Sequence, residues 1–418
     1  MMRRILILLG LGGLLIPALP GQEMAELLAQ MKALEARIQA LEAEVQALKG
    51  KPATPAATEA ITVSNTPQEK SAEPMPAAVG QAPPGGLPYY GVAGSSAKIF
   101  NPDIAAVGTF RGVTGFGASR GTPSLEMQEG EVAFQAIVDP YARADVFLSF
   151  GEKGVDLEEG YLTLSALPGN FQVKAGKMRA AYGKVNTLHL HSLSWIDRPL
   201  VTQNLLNGEE GLSDAGLSVT RTIPAPGQIF LEATAQAFRG DSGDTFQSYR
   251  RNHVGTAGHL RGYRDLSEST NLDLGFSYAR GHSPLGPRLV NQLYGLDATL
   301  RWKPLRRSIY RSFIARTEVN WGRAGLLSGT SRPFGYYVSG EYQLARRWLL
   351  GGRFDQSDRL TDASLRDTGG SVLLTYRPSE FSQVRGQLRR TRYSEQVTAN
   401  EFLFQFQFSI GAHGAHPF

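Results

Sequence analysis

The chain has 418 residues, a formal net charge of +5, 19% charged residues, 47 glycines and no cysteine. Without thiols there are no disulfide staples, thiolate metal centres or cysteine nucleophiles. So small a net charge makes its placement matter more than its size, and nucleic acid is not among the expected partners.

Residues 1–21 read as an export signal. Arg3 and Arg4 precede the apolar run "ILILLGLGGLLIPAL", which is too short and too soon followed by polar sequence to be a stable spanning helix. Cleavage is expected near Gly21, and no Cys follows to accept lipid. Over residues 22–50, Met24, Met31, Ile38 and Val45 alternate with Leu27, Leu34, Leu41 and Leu48 at heptad spacing, and Gly50 and Pro52 end the pattern. A periplasmic coiled coil is expected, with Met31, Leu34, Ile38, Leu41, Val45 and Leu48 in its seam. Branched a positions with Leu at d favour two strands, the methionines blur that preference, and a lone amphipathic helix is the alternative. Residues 51–96 are rich in Pro, Ala, Ser and Thr without periodicity, the signature of an extended linker.

From about residue 97 to 418 the pattern changes to short period-two segments divided by turn signals. Sixteen are recognisable, from Ile104–Val113 to Glu401–Ile410. In Gln292–Lys303, Tyr294, Leu296, Ala298, Leu300 and Trp302 share one face, while Asp297, Thr299, Arg301 and Lys303 share the other. Aromatics cap both ends of the apolar face, as in a lipid-facing band with its girdles. Short connections such as "LPGN" and "PSEF" interleave with longer ones such as "DQSDRLTDASLRD". The expected fold is therefore all-β and transmembrane: a 16-stranded antiparallel outer-membrane barrel with an N-terminal α-helical coiled coil. Phe402, Phe404, Phe406 and Phe408 are expected to face lipid on the closing strand, with Leu403, Gln405, Gln407 and Ser409 toward the lumen. An aromatic terminal strand ending in Phe resembles the signal read by the outer-membrane insertion machinery, although Phe418 stands beyond the stripe.

The inward face carries Arg143, Lys174, Arg301, Arg316, Arg353, Arg377, Arg385 and Arg389 against Asp145, Asp273, Asp297, Glu318 and Asp355. In a bore too wide for side chains to fill, such a set raises local anion concentration. The alternative is that these residues pair across neighbouring strands and only hydrate the wall. The longest connection, about 178–213, mixes apolar residues with His189, His191, Trp195 and Arg198 and is expected to fold into the barrel and narrow it. His189 and His191 are the candidates for metal binding, but two imidazoles without a third ligand define no site, so neither metal nor cofactor is assigned. No Gly-x-Ser-x-Gly elbow or phosphate-binding loop is present, and the chain is not expected to be an enzyme.

The stretch "VKAGKMRAAYG" followed by "WIDRPLV" resembles the phosphate-selective porin O/P-type family. The coiled coil, linker and "SIGAHGAHPF" ending are similar to porin-like proteins, some described as zinc-regulated TonB-dependent receptors. The resemblance implies a trimeric barrel passing small anions such as phosphate by passive diffusion. It places Lys177, Arg179 and Arg198, with Gly176 and Gly183, among the anion-attracting or shaping positions; Met178 and Ala181 depart from the family's Phe and Pro. An energy-coupled receptor would need a plug domain where only helix and linker stand. The remaining alternatives are an outer-membrane anchor reaching peptidoglycan through the coiled coil, and a protein for zinc uptake.

Overall fold

The computed structural model describes residues 102–117, 123–152 and 154–411. The signal segment, the coiled coil, the linker and the tail from residue 412 lie outside the described residues.

All sixteen expected strands are present, most of them longer than the alternation alone suggested. They are β1 (Asp103–Phe116), β2 (Leu125–Asp139), β3 (Ala142–Gly151), β4 (Gly154–Leu167), β5 (Phe171–Arg179), β6 (Ser213–Pro224), β7 (Ile229–Phe238) and β8 (Gly255–Ser267). There follow β9 (Thr270–His282), β10 (Val290–Trp302), β11 (Phe313–Leu326), β12 (Gly329–Ser331), β13 (Phe334–Ala345), β14 (Trp348–Asp358), β15 (Arg366–Ser379), β16 (Ser382–Arg392) and β17 (Thr398–Gly411). The three-residue β12 only folds back on the end of β11, so sixteen strands form the wall. Each pairs antiparallel with its sequence neighbour, and β1 pairs with β17 from Ala105↔Gly411 to Phe116↔Asn400, which closes the sheet and leaves no edge.

Alternation sets which side chains look outward. On β17 Phe402, Phe404, Phe406 and Phe408 are exposed while Ala399, Glu401, Leu403, Gln405 and Gln407 are buried. On β10 Leu296 is exposed and Leu293, Asp297 and Thr299 are buried. A row of aromatics crosses four adjacent strands near one rim, Tyr278↔Tyr294↔Trp321↔Phe334, and a second, Trp302↔Phe313↔Tyr342, lies near the other. Eight residues separate Tyr294 from Trp302, roughly 26 Å along the strand, the height of a bilayer's apolar band before tilt. An exposed apolar belt between aromatic rows is a lipid-facing surface, and the barrel is transmembrane.

One end carries the start of β1, the end of β17 and mostly tight turns; the other carries the long connections. The sorting has exceptions: β3 returns to β4 through only two residues at the loop end, and the β10–β11 connection at the turn end runs to ten. The connection 180–212 departs most from the rest, because it enters the bore. Its Tyr182, Val185, Leu193, Trp195, Ile196, Val201, Leu205 and Leu206 are buried against inward-facing Phe238, Leu293, Tyr337, Leu373 and Leu403. Core is thus found inside the barrel, at just those inward positions that are apolar.

Ala298, midway between the two aromatic rows, is an outward position. Ala298→Arg is expected to destabilise the barrel by about 2–4 kcal/mol, the cost of a cation at the bilayer midplane, and Ala298→Leu to be near neutral. Urea unfolding from lipid vesicles measures both.

Candidate functional site

The inward loop is short of regular structure, so its backbone groups need partners from elsewhere. Two 3-10 turns, Val185–Thr187 and Leu190–Ser192, and one six-residue helix, α1 (Leu200–Leu205), satisfy a few. Pro199 opens α1, its carbonyl accepting from the amides of Thr202 and Gln203. Arg198, fully buried, binds the loop to itself: Nε donates to the Glu209 carbonyl at 2.6 Å, Nη1 to that of Val185 at 2.9 Å and Nη2 to that of Leu188 at 2.8 Å. A guanidinium committed to three carbonyls in a dry interior does not attract solute. Arg198 is therefore a clamp within the loop, not the pore-lining residue its resemblance suggested.

The wall supplies the rest. Glu318 on β11 accepts the amides of Lys184 and Val185, each at 2.8 Å, and Gly183 donates to Ser277 Oγ at 2.9 Å. Gly183 has φ +59, and a Cβ there would come within 2.7 Å of the Glu318 carboxylate, so both conformation and space require glycine. Lys184 Nζ reaches Asp273 Oδ2 at 2.5 Å, beside Arg261. Gln387 Oε1 accepts from Ile196, and Arg385 Nη1 donates to the carbonyls of Leu193 at 2.6 Å and Trp195 at 3.2 Å. Asp197 forms the densest contact. Its Oδ2 is 2.9 Å from Arg353 Nη2 and 2.8 Å from Arg389 Nη1, and its Oδ1 accepts from Gln387 Nε2 at 2.7 Å. Arg353 also pairs with Asp355 at 2.8 Å and lies over the Trp195 ring, and Arg389 also pairs with Glu401. Burial works against the Asp197 charge, but the two guanidiniums outweigh it and hold the carboxyl below its ordinary range.

Arg353, Arg385 and Arg389 do face inward as expected, yet their side chains are engaged with the loop. The expectation that they attract anions is corrected accordingly. Arg179 is likewise buried, donating to Glu158 at 3.0 Å and to the Glu210 carbonyl. Lys177 stands with Asp156 at 3.6 Å and donates to the Leu157 carbonyl. The remaining three differ. Lys174, over the Tyr161 ring at 4.4 Å, and Arg301 and Arg316 are half-buried and make no ion pair among the described residues. All three lie in the turn-end half of the bore. Inward-facing Glu232 and Glu341 share that half, and Arg143 there is paired with Asp145.

A second cluster was not foreseen. His189 and His191 are buried with ring centroids 5.7 Å apart, facing carboxylates of β2 and β4. His189 Nδ1 is 2.6 Å from Glu131 Oε2 and 2.9 Å from Glu158 Oε2, and its Nε2 is 3.2 Å from Glu159 Oε2. His191 Nδ1 lies 3.4 Å from Glu129 Oε2. Burial opposes a charge on His189, but hydrogen bonds with Glu131, Glu158 and Glu159 raise its pKa well above the ordinary value. Glu129 and Glu131 share a face by simple alternation. Glu158 and Glu159 do so because the register slips between Phe147 and Leu148, leaving Glu158 as the extra residue of a bulge.

No family model matches the sequence. An uncharacterised protein of Aquifex aeolicus (strain VF5) is 28% identical over 335 residues, 70% of each chain. Among solved structures, OmpT of Vibrio cholerae lacking loop L8 aligns with a TM-score of 0.51 at 11% identity, over 74% of this chain and 99% of that one. An anion-selective porin from Comamonas acidovorans aligns at 0.51 and 10% identity, over 74% and 98%. The outer membrane channel DcaP of Acinetobacter baumannii aligns at 0.50 and 10%, over 74% and 97%. At this identity the likeness is one of fold: the chain has a porin-type barrel, and the finer resemblance to phosphate-selective porins narrows to that.

Removing the Asp197 carboxylate takes from the buried Arg353 and the half-buried Arg389 one of the two carboxylates that each holds. Asp197→Ala is expected to cost about 3–5 kcal/mol, as breaking a buried ion pair does, read as a lower unfolding midpoint in detergent. A depressed carboxyl stabilises above its unfolded pKa of about 3.9, and loses that contribution as pH falls through the folded value. Between pH 4 and pH 2 the midpoint of the parent protein should therefore fall more steeply than that of Asp197→Ala.

Proposed function

We propose that the protein is an outer-membrane porin, a passive diffusion channel for small hydrophilic solutes that favours anions such as phosphate. The fold likeness to porins and outer-membrane channels supports the channel reading. The observation that carries the anion preference is the sorting of basic residues along the bore. At the loop level they are used up holding the loop, while Lys174, Arg301 and Arg316 in the turn-end half stay half-exposed and without ion pairs among the described residues. In this reading the three cations, which share that half with Glu232, Glu341 and Asp265, draw anions into the water they line.

The inward loop is the constriction. With hydrogen bonds to β2, β4, β7, β9, β11, β14, β15 and β16, it acts as a fixed filter in this reading rather than a flap. Assembly as a homotrimer is part of the proposal, supported by the trimer form of the OmpT barrel to which this one is similar in fold. So are export through residues 1–21, a periplasmic coiled coil at 22–50 and a linker at 51–96, all resting on the sequence alone.

Planar-bilayer recording tests the proposal. Stepwise conductance is expected, with a reversal potential in a KCl gradient on the anion-selective side. Changing Lys174, Arg301 and Arg316 together to Glu should move that potential to the cation side while the barrel stays folded. Silence in the bilayer from folded protein would remove the porin reading, and an unchanged potential in the triple variant would remove the assignment of these residues.

A further inference from the structure

We propose that His189, Glu129, Glu131 and Glu158 bind one first-row divalent cation, Mn2+ or Zn2+, where the inward loop meets β2 and β4. The ligand atoms of these four residues all lie within 4.8 Å of one another. The imidazole is oriented as a metal ligand is. Its Nδ1 faces two carboxylate oxygens at once, Glu131 Oε2 at 2.6 Å and Glu158 Oε2 at 2.9 Å. A single N–H serves one acceptor well, whereas a lone pair aimed between two carboxylates shares a cation with both. The other nitrogen, Nε2, lies 3.2 Å from Glu159, whose second oxygen accepts the Arg179 amide at 2.5 Å. That is the outer-shell carboxylate which fixes the tautomer of a metal-bound histidine and turns its lone pair to the far side, toward Glu131 and Glu158.

Charge and satisfaction point the same way. Four carboxylates meet here, and among the described residues the one arginine or lysine in ion-pair contact with them is Arg179, on Glu158. Glu129 is buried and its Oε1 has no hydrogen-bond partner among the described residues. Uncompensated buried carboxylates are costly, and a divalent ion with His189 neutral brings the balance close to even. One imidazole nitrogen with carboxylate oxygens suits Mn2+ or Zn2+; Ca2+ and Mg2+ prefer all-oxygen sets, and soft Cu(I) prefers sulfur. A bound ion would tie the loop to β2 and β4, a second stretch of wall beside the one held by Arg353 and Arg389 on β14 and β16. The site goes beyond the channel reading and does not depend on it.

Two measurements on the full-length protein in detergent, stripped with chelator, test this without recording conductance. Calorimetry with MnCl2 or ZnCl2 is expected to show one saturable equivalent, weakened at least tenfold in Glu131→Gln, with heat-modifiability confirming that the variant barrel is folded. Crystals grown with MnCl2 should give an anomalous peak within coordination distance of His189 Nδ1 and Glu131 Oε2. No saturable binding of either ion, or anomalous peaks only elsewhere, would overturn the proposal.

Discussion

A chain segment folded into a barrel carries its backbone N–H and C=O groups with it, and each must find a partner there. Sixteen strands enclose a bore too wide for wall side chains alone to fill, so the inward loop has both room and obligation. The paired contact of Asp197 with Arg353 and Arg389 meets the largest part of that obligation at one place. It fixes the centre of the loop to β14 and β16 and positions Trp195 over Tyr337, with ring centroids 5.3 Å apart. Apolar burial then does the rest. Leu193, Ile196, Val201, Leu205 and Leu206 would each gain about 1.5–3 kcal/mol from full burial, and they find apolar partners in Leu293, Leu373 and Leu403.

This arrangement divides the inward charges by height. Near the loop they are structural, committed to carbonyls and carboxylates in a dry interior. Toward the turn end Lys174, Arg301 and Arg316 remain half-exposed. The same residue types on the same strand face thus do different work, and the difference comes from whether the loop reaches them.

The barrel was legible because its determinant is local. Alternation in segments such as Gln292–Lys303, and the Phe stripe of β17, assign each side chain to one face with no knowledge of its neighbours. The inward course of the loop was legible too, from its apolar content. What alternation cannot give is who meets whom across the bore. Arg198, Arg353, Arg385 and Arg389 looked like anion-attracting residues because nothing in strand periodicity says that Asp197 and the loop carbonyls arrive opposite them. Glu158 escaped notice for a different reason. Its inward position depends on a bulge, and a one-residue slip in register is invisible to a period-two pattern. Glu129 and Glu131 were readable as "EGE" on one face, but their significance depends on His189 and His191, which fold in from far along the chain.

The inward-folded loop is tested most directly by a disulfide trap, since the chain has no native cysteine. A Cβ on Gly335 of β13 would lie 2.9 Å from Val201 Cγ2 in α1. Val201→Cys combined with Gly335→Cys should therefore crosslink nearly completely in oxidised outer membranes, seen as a mobility shift on non-reducing gels that reductant abolishes. Folded, heat-modifiable barrels in which the pair stays reduced would contradict the account, because the loop would then lie outside the bore.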